Sequence, residues 1–200
     1  MSGVVLSLDS VARTMSEYDE VPDALGVVLA HDRGTLPFTL IHGEALVACA
    51  SWALGQSGVT PVDGSADWAS IRDAAEPFAL HDSLCPMTPA GFIASCVRRA
   101  VDDDVVVVGV RPVTDTVKVV RAGLVGETVD RAGLLALASP VVLPARVVVG
   151  LETPPGEDLS ALVSRLVADH AVEFVEAPPE ARRVASPDDV RLLELLTAPD

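Results

Sequence analysis

The sequence predicts an α/β protein: a three-layer sandwich around a mostly parallel sheet, with one β-hairpin projecting from it as an arm. Three observations carry that expectation. Short apolar runs alternate with stretches of helical spacing, in the order strand, loop, helix, which favours parallel strands joined by right-handed crossovers. Residues 105–110 (VVVVGV) form a near-continuous β-branched run, as expected of a strand covered on both faces. Arg121, Ala122 and Gly123 separate two short apolar runs, a compact hairpin signal.

The elements follow in order. Residues 4–8 read as a possible strand in an otherwise ill-defined extension over residues 1–24. Residues 26–30 are an apolar run too short for a helix, ending at the loop signal His31-Asp32-Arg33-Gly34. Gly43 closes that loop, and residues 44–54 read as a helix with an apolar face that includes Trp52. Residues 55–70 read as an irregular connection with a short strand near 59–62, Trp68 packing beneath it. Residues 77–82 form a buried strand ending in His81-Asp82. Thr88 and Pro89 then open a helix as capping hydroxyl and first-turn proline, with Phe92, Ile93, Cys96, Val97 and Ala100 on one face. After the hairpin, Ser139-Pro140 reads as a short loop. Residues 157–168 form a helix with acids in its first turn, residues 171–175 a strand, and Ser186 caps a last helix carrying Val190, Leu193 and Leu196.

Bulk properties narrow the function classes. Two hundred residues, half of them hydrophobic and only 4% aromatic, suit one domain with a Val-, Leu- and Ala-built core. With 29 acidic against 14 basic residues the formal net charge is −15, and no basic run occurs. Nucleic acid is therefore not an expected partner, nor is an anionic membrane surface. An anionic ligand would need a local cluster of Arg or Lys working against the global field. Cys49, Cys85 and Cys96 are odd in number and widely spaced, implying neither a disulfide framework nor a metal site. The N-terminus shows no signal-peptide pattern and no stretch is long enough to span a bilayer, so a cytoplasmic location is expected.

Several motifs in register then point to one family. His81-Asp82 followed by Pro86 resembles H-D-A-A-R-P. Residues 112–118 (PVTDTVK) resemble P-V-x-D-T-I-K. Residues 127–131 (ETVDR) resemble E-T-V-D-R. Ser139-Pro140 stands where Q-T-P-Q is expected, and residues 183–189 (RVASPDD) resemble I-K-V-T-x-P-E-D. Together they resemble the 2-C-methyl-D-erythritol 4-phosphate cytidylyltransferase (IspD) family of non-mevalonate isoprenoid biosynthesis. The match runs over about residues 26–197, strong from 105 to 140 and weak before 80.

The resemblance implies a Rossmann-like, GT-A-like nucleotidyltransferase fold. It implies substrate-binding roles for Thr116, Arg131 and Ser139 at a sugar phosphate, and catalytic roles for Arg183 and Asp82. Asp82 would also hold Mg²⁺ if a nucleotide binds. A homodimer through the 112–131 arm is implied as well. From the residues alone, Arg131 is either a phosphate ligand or a partner of Asp115 or Asp130, and Asp82 without a nucleotide is a loop anchor. Cys85 beside His81 reads as a buried thiol rather than a nucleophile.

The departures all fall on the nucleotide side. The family's P-A-A-G-x-G-x-R turn is here Leu29, Ala30, His31, Asp32, Arg33, Gly34 and Thr35. Only Gly34 remains of the glycines that let backbone approach phosphate, and Asp32 brings negative charge. The lysine of P-K-Q has no counterpart near Pro37, the cytosine-reading segment is missing, and Cys85 stands for the arginine of H-D-A-A-R-P. Phosphoryl transfer rests on positioning and electrostatic stabilisation, and each lost donor costs about 2.7–4 kcal/mol in the barrier. The expectation is a catalytically impaired relative, with Ala30, His31, Arg33 and Gly34 as a weak nucleotide loop and no cofactor. The alternative is an active transferase of CMP from CTP with a rebuilt loop and Mg²⁺.

Overall fold

The computed structural model describes residues 22–113, 117–121, 124–131 and 133–198. The expected strand at 4–8 lies outside them, as does Thr116. Ten strands are described: β1 (Leu25–Leu29), β2 (Leu40–Ile41), β3 (Glu44–Ala45), β4 (Thr60–Pro61), β5 (Phe78–Asp82), β6 (Val106–Pro112), β7 (Val117–Arg121), β8 (Leu124–Val129), β9 (Leu135–Leu143) and β10 (Val172–Glu176). The helices are α1 (Leu46–Gln56), α2 (Trp68–Ala74), α3 (Ala90–Asp102), α4 (Ala145–Gly150), α5 (Leu159–Asp169) and α6 (Pro187–Leu196).

Six strands make one sheet in the order β10-β6-β9-β5-β1-β4. The contacts of β1 with β4 and β5, and of β10 with β6, are parallel. Helices cover both faces, because the side chains of each central strand alternate between two cores. Phe78, Leu80, Val106, Val108, Val141 and Leu143 pack with α2, α4 and α5. Ala79, Val107 and Val142 face the other way, toward Leu54 of α1 and Ile93, Cys96 and Val97 of α3. That double coverage is what the unbroken valine run predicts. Strands β7 and β8 pair antiparallel with each other and with no strand of the main sheet, forming the hairpin.

Three expectations need correction. The Ser139-Pro140 segment is not a loop but the middle of β9, which runs antiparallel between β5 and β6. The sequence conceals it because a proline inside a strand argues against the strand. Here the register jumps from Val108↔Val141 to Val110↔Leu137, so Gly109 alone faces residues 138–140 in an irregularity that spares Pro140 a ladder bond. The peptide between Ser139 and Pro140 is cis. The end of the stretch expected to be irregular, residues 68–70, instead opens helix α2: Asp67 caps it by accepting from the Ala69 amide, and Trp68 packs edge-on against Phe78 with ring centroids 5.5 Å apart. Trp52, expected to pack, is 55% exposed. Smaller shifts concern helix starts. Residues Glu44 and Ala45 fold back onto Leu40 and Ile41 before α1 begins. Pro89 is itself the cap of α3, while the Thr88 hydroxyl donates to the Cys85 carbonyl.

A third hydrophobic cluster sets up the site. Val184, Val190 and Leu193 bury against Ile41, Leu46 and Leu84. The Val184 amide donates to the Leu84 carbonyl at 2.8 Å, tying the chain before α6 to the loop after β5.

A pair of glycine substitutions tests the β6–β9 junction. A Cβ on Gly109 would sit 3.0 Å from both the carbonyl carbon and the oxygen of Ser139, whereas one on Gly91 meets nothing within 4 Å. Gly109→Ala is expected to lower stability by about 1–3 kcal/mol in urea denaturation. Gly91→Ala, in the first turn of α3, is expected to raise it by up to about 1 kcal/mol.

Candidate functional site

Strands β1 and β5 are parallel and end side by side, Leu29 in register with Asp82. Crevices outside such carboxyl ends are where open α/β sheets bind ligands. A cleft of about 700 Å³ lies there, lined by Asp32, Arg33, Asp82, Leu135, Leu137, Ala138, Arg183 and residues 157–160. The loop after β1 contains two left-handed residues, Asp32 with φ 57° and the one remaining glycine, Gly34, with φ 60°. Asp tolerates that region better than most residues.

Asp82 organises the cleft. Its side chain is 3% exposed. One carboxylate oxygen accepts from Arg33 Nε at 2.7 Å and from the Leu84 amide at 3.0 Å, and the other accepts from Arg183 Nε at 2.9 Å. Burial pushes its carboxyl up, but hydrogen bonds from Arg33, the Leu84 amide and Arg183, with the Arg183 charge, outweigh it. The group is held below the usual carboxylate range. Both oxygens are thus occupied by guanidinium groups, and among the described residues no cluster of three His, Cys, Asp or Glu is arranged to hold a metal. As the side chains stand, each Asp82 oxygen that would hold Mg²⁺ accepts from a guanidinium group.

Arg33 is held on every side. Its side chain is 8% exposed. Besides Asp82, it donates from Nη1 to the His31 carbonyl and to Glu157 Oε2, and from Nη2 to the Glu157 carbonyl. His31 adds a contact of 3.2 Å to Glu157 Oε1. Glu157, expected in the first turn of a helix, instead precedes α5, whose cap is Asp158. Its role was invisible in the sequence, since it meets Arg33 from 124 residues away. Arg183 is 41% exposed, and its two Nη groups make no hydrogen bond among the described residues.

Of the expected sugar-phosphate residues, Ser139 and Arg131 are described. Ser139 is fully buried and does not line the cleft. Its Oγ accepts from the Asp82 amide at 2.9 Å and lies 2.7 Å from His81 Nδ1. Strand β9 pairs with β5 only through Leu80, so this hydroxyl takes over the ladder at Asp82. Thr116 lies outside the described residues. Arg131 is exposed beyond the end of β8, and Ala30 is half-buried at the end of β1.

His81 is fully buried, and burial pushes its pKa down to about 4 against the opposing pull of Asp82. In the neutral ring Nδ1 shares a hydrogen bond with the Ser139 hydroxyl, and Nε2 has no partner among the described residues. Cys85 is also fully buried, and burial pushes its thiol far above the ordinary range, consistent with an inert thiol.

The family's sequence profile, described as 2-C-methyl-D-erythritol 4-phosphate cytidylyltransferase (IspD), matches residues 56–194, and the chain belongs to that family. The matched stretch begins after the loop that carries Arg33. A relative of that name from Corynebacterium glutamicum is 31% identical over 183 residues, covering 84% of this chain and 66% of the relative. One from Nocardia farcinica is 36% identical over 123 residues, covering 60% and 52%. The chain thus spans two-thirds at most of the curated relatives it matches. The crystal structure of the enzyme of that name from Thermus thermophilus superposes with a TM-score of 0.60 at 21% identity, covering 86% of this chain and 96% of that one, and shares the fold. No helix among the described residues is long and apolar enough to cross a membrane.

Two predictions follow from the buried pair of residues 81 and 82. Unfolded His81 protonates at its ordinary 6.5, the folded residue only near 4. Between these values the unfolded chain holds the extra proton, so stability is complete above pH 6.5 and falls as pH drops. The expected slope approaches about 1.4 kcal/mol per pH unit in urea titrations, and His81→Gln flattens it. Asp82→Ala removes one of the two carboxylates that compensate the buried Arg33, leaving Glu157, and is expected to cost about 1–3 kcal/mol at neutral pH, read by the same titration.

Proposed function

We propose that this family member does not transfer cytidylyl groups but serves as a homodimeric binding module for a small phosphorylated ligand. The observation that carries this reading is the internal neutralisation of the nucleotide side. Arg33, the cation nearest the old triphosphate turn, is spent on Asp82 and Glu157. The cleft places four carboxylates, Asp32, Asp82, Glu157 and Asp158, against two guanidinium groups, Arg33 and Arg183. A triphosphate entering there would meet net negative charge at short range, where repulsion is least screened. Transfer chemistry needs the opposite field, since the transition state concentrates negative charge on the phosphoryl group.

The dimer is proposed from the hairpin. Strands β7 and β8 form their own two-stranded sheet, and residues 112–131 keep the family's arm motifs almost whole. Exchange of identical arms about a two-fold axis gives a closed, isologous assembly. It would carry Arg131 toward the partner's cleft.

The second reading, an active cytidylyltransferase, is favoured by one feature: Arg183 remains partly exposed on the cleft with its Nη groups available. Pyrophosphate release from CTP, 2-C-methyl-D-erythritol 4-phosphate and Mg²⁺ separates the two. The expected result is no release above an enzyme-free blank and no thermal shift with CTP. Turnover that disappears in Arg183→Ala would establish the second reading. Sedimentation of the natural chain against a variant with residues 117–129 replaced by a short turn tests the arm: the natural chain is expected as a dimer and the variant as a monomer.

A further inference from the structure

Beside the acidic cleft lies a second, smaller pocket of about 290 Å³. The guanidinium groups of Arg111, Arg182 and Arg183 line it, together with apolar walls that include Leu137 and Leu196. No carboxylate lines it among the described residues. The chain has only 14 basic residues against 29 acidic ones, so three arginines in one pocket stand out against the global field. We propose that this pocket, rather than the nucleotide cleft, is the anion site of the molecule, and that it takes the phosphoryl group of a small phosphorylated ligand.

The geometry of the three arginines supports that assignment. Arg111 stands at the end of β6 and is steadied by donating from Nη1 to the Ala177 carbonyl at 2.8 Å. That bond uses one of its five donors and fixes the fork, so the rest is preorganised at little entropic cost. The Arg182 backbone amide donates to the Pro179 carbonyl, while its side chain makes no hydrogen bond among the described residues; Asp189, at the start of α6, is near enough to feel its charge. Arg183 is anchored through Nε on Asp82 and lines both pockets, so its remaining donors stand on the boundary between them. Arg111 and Arg182 are half-buried, which reduces the solvent screening of their charge. A planar fork matches phosphate oxygens in pairs, and three such groups converging on a small volume suit one dianionic phosphoryl group better than a carboxylate. The volume lies at the small end of ligand pockets, which suits a single phosphoryl group.

The same two arginines escape the motif comparison. Arg182 precedes the stretch beginning at Arg183, and Arg111 precedes Pro112, the first residue of the arm motif. The site rests on the reading given above in its ligand class, a small phosphorylated molecule, but does not depend on whether cytidylyl transfer is lost.

Isothermal titration of the full chain with inorganic phosphate and with pyrophosphate tests the site, alongside ¹⁵N spectra of the arginine Nε groups. Saturable binding is expected, with the Arg111 and Arg182 resonances shifting and that of Arg33 unmoved. Arg182→Gln and Arg111→Gln are each expected to weaken binding about tenfold, the loss of one charge-assisted hydrogen bond. Arg182→Gln is expected to leave the urea midpoint unchanged, which separates lost binding from lost folding. Absence of saturable binding at millimolar phosphate and pyrophosphate would overturn the proposal. So would equal affinity in Arg182→Gln, or movement of Arg33 alone. Binding of citrate without binding of either phosphate would overturn the ligand class. None of these readouts uses CTP, so failure here is distinguishable from failure of the non-transferase reading.

Discussion

The carboxylate of Asp82, gripped by Arg33 from one side and Arg183 from the other, is the constraint on which the rest of the site depends. Both guanidinium groups approach through Nε, and each oxygen takes one of them. A buried carboxylate is tolerable only with such partners, because desolvation otherwise costs several kcal/mol per ion. The clamp joins three parts of the chain: the loop after β1, the end of β5 and the segment before α6. It also joins two of the hydrophobic clusters, since Leu29 packs on one sheet face and Val184 in the cluster under α6. The Val184–Leu84 backbone bond runs alongside the ionic contact, so the position of Arg183 is set by packing as well as by charge.

Charge is distributed unevenly around that clamp. On the β1 side, Glu157 supplies Arg33 with a carboxylate oxygen and a backbone carbonyl oxygen, which take up donors that a phosphate would need. The protein thereby satisfies its own cation. On the other side the guanidinium groups of Arg111 and Arg182 stand without a carboxylate in their pocket. Arg183 is the boundary between the two. In a chain of net charge −15, a pocket lined by arginines favours an anion against the global field, and its apolar walls strengthen that local field.

Family membership settles the architecture and leaves the chemistry to the site. The strand that interrupts the parallel sheet, β9, brings Ser139 under the end of β5, where its hydroxyl replaces a missing ladder partner. A residue type suited to holding phosphate is here used to hold backbone. The same economy appears at His81, whose neutral ring is retained by burial and by the Ser139 hydroxyl rather than by any ligand. Both side chains act on the site through Asp82, by fixing where the strand ends.

By itself the sequence determined what depends on local pattern. The valine run of β6, the buried strand ending at Asp82, the hairpin around residues 121–124 and the cap of α6 by Ser186 are all readable from periodicity and capping residues, and the ordered motifs from 105 to 140 carry the family. The missing glycines and lysine of the triphosphate loop were legible as plain absences. Only the tertiary structure decided what depends on contacts between distant segments. Strand β9 was hidden because Pro140 is acceptable only opposite the irregularity at Gly109, a relation between strands and not a property of either. Glu157 looked like a first-turn acid until the fold placed it against Arg33, and that Ser139 is buried beneath the Asp82 amide is visible only in the fold. Arg111 and Arg182 lie 71 residues apart, and no spacing rule connects them. Local propensity is written in neighbouring residues, whereas the electrostatics of a site belongs to side chains that only packing brings together.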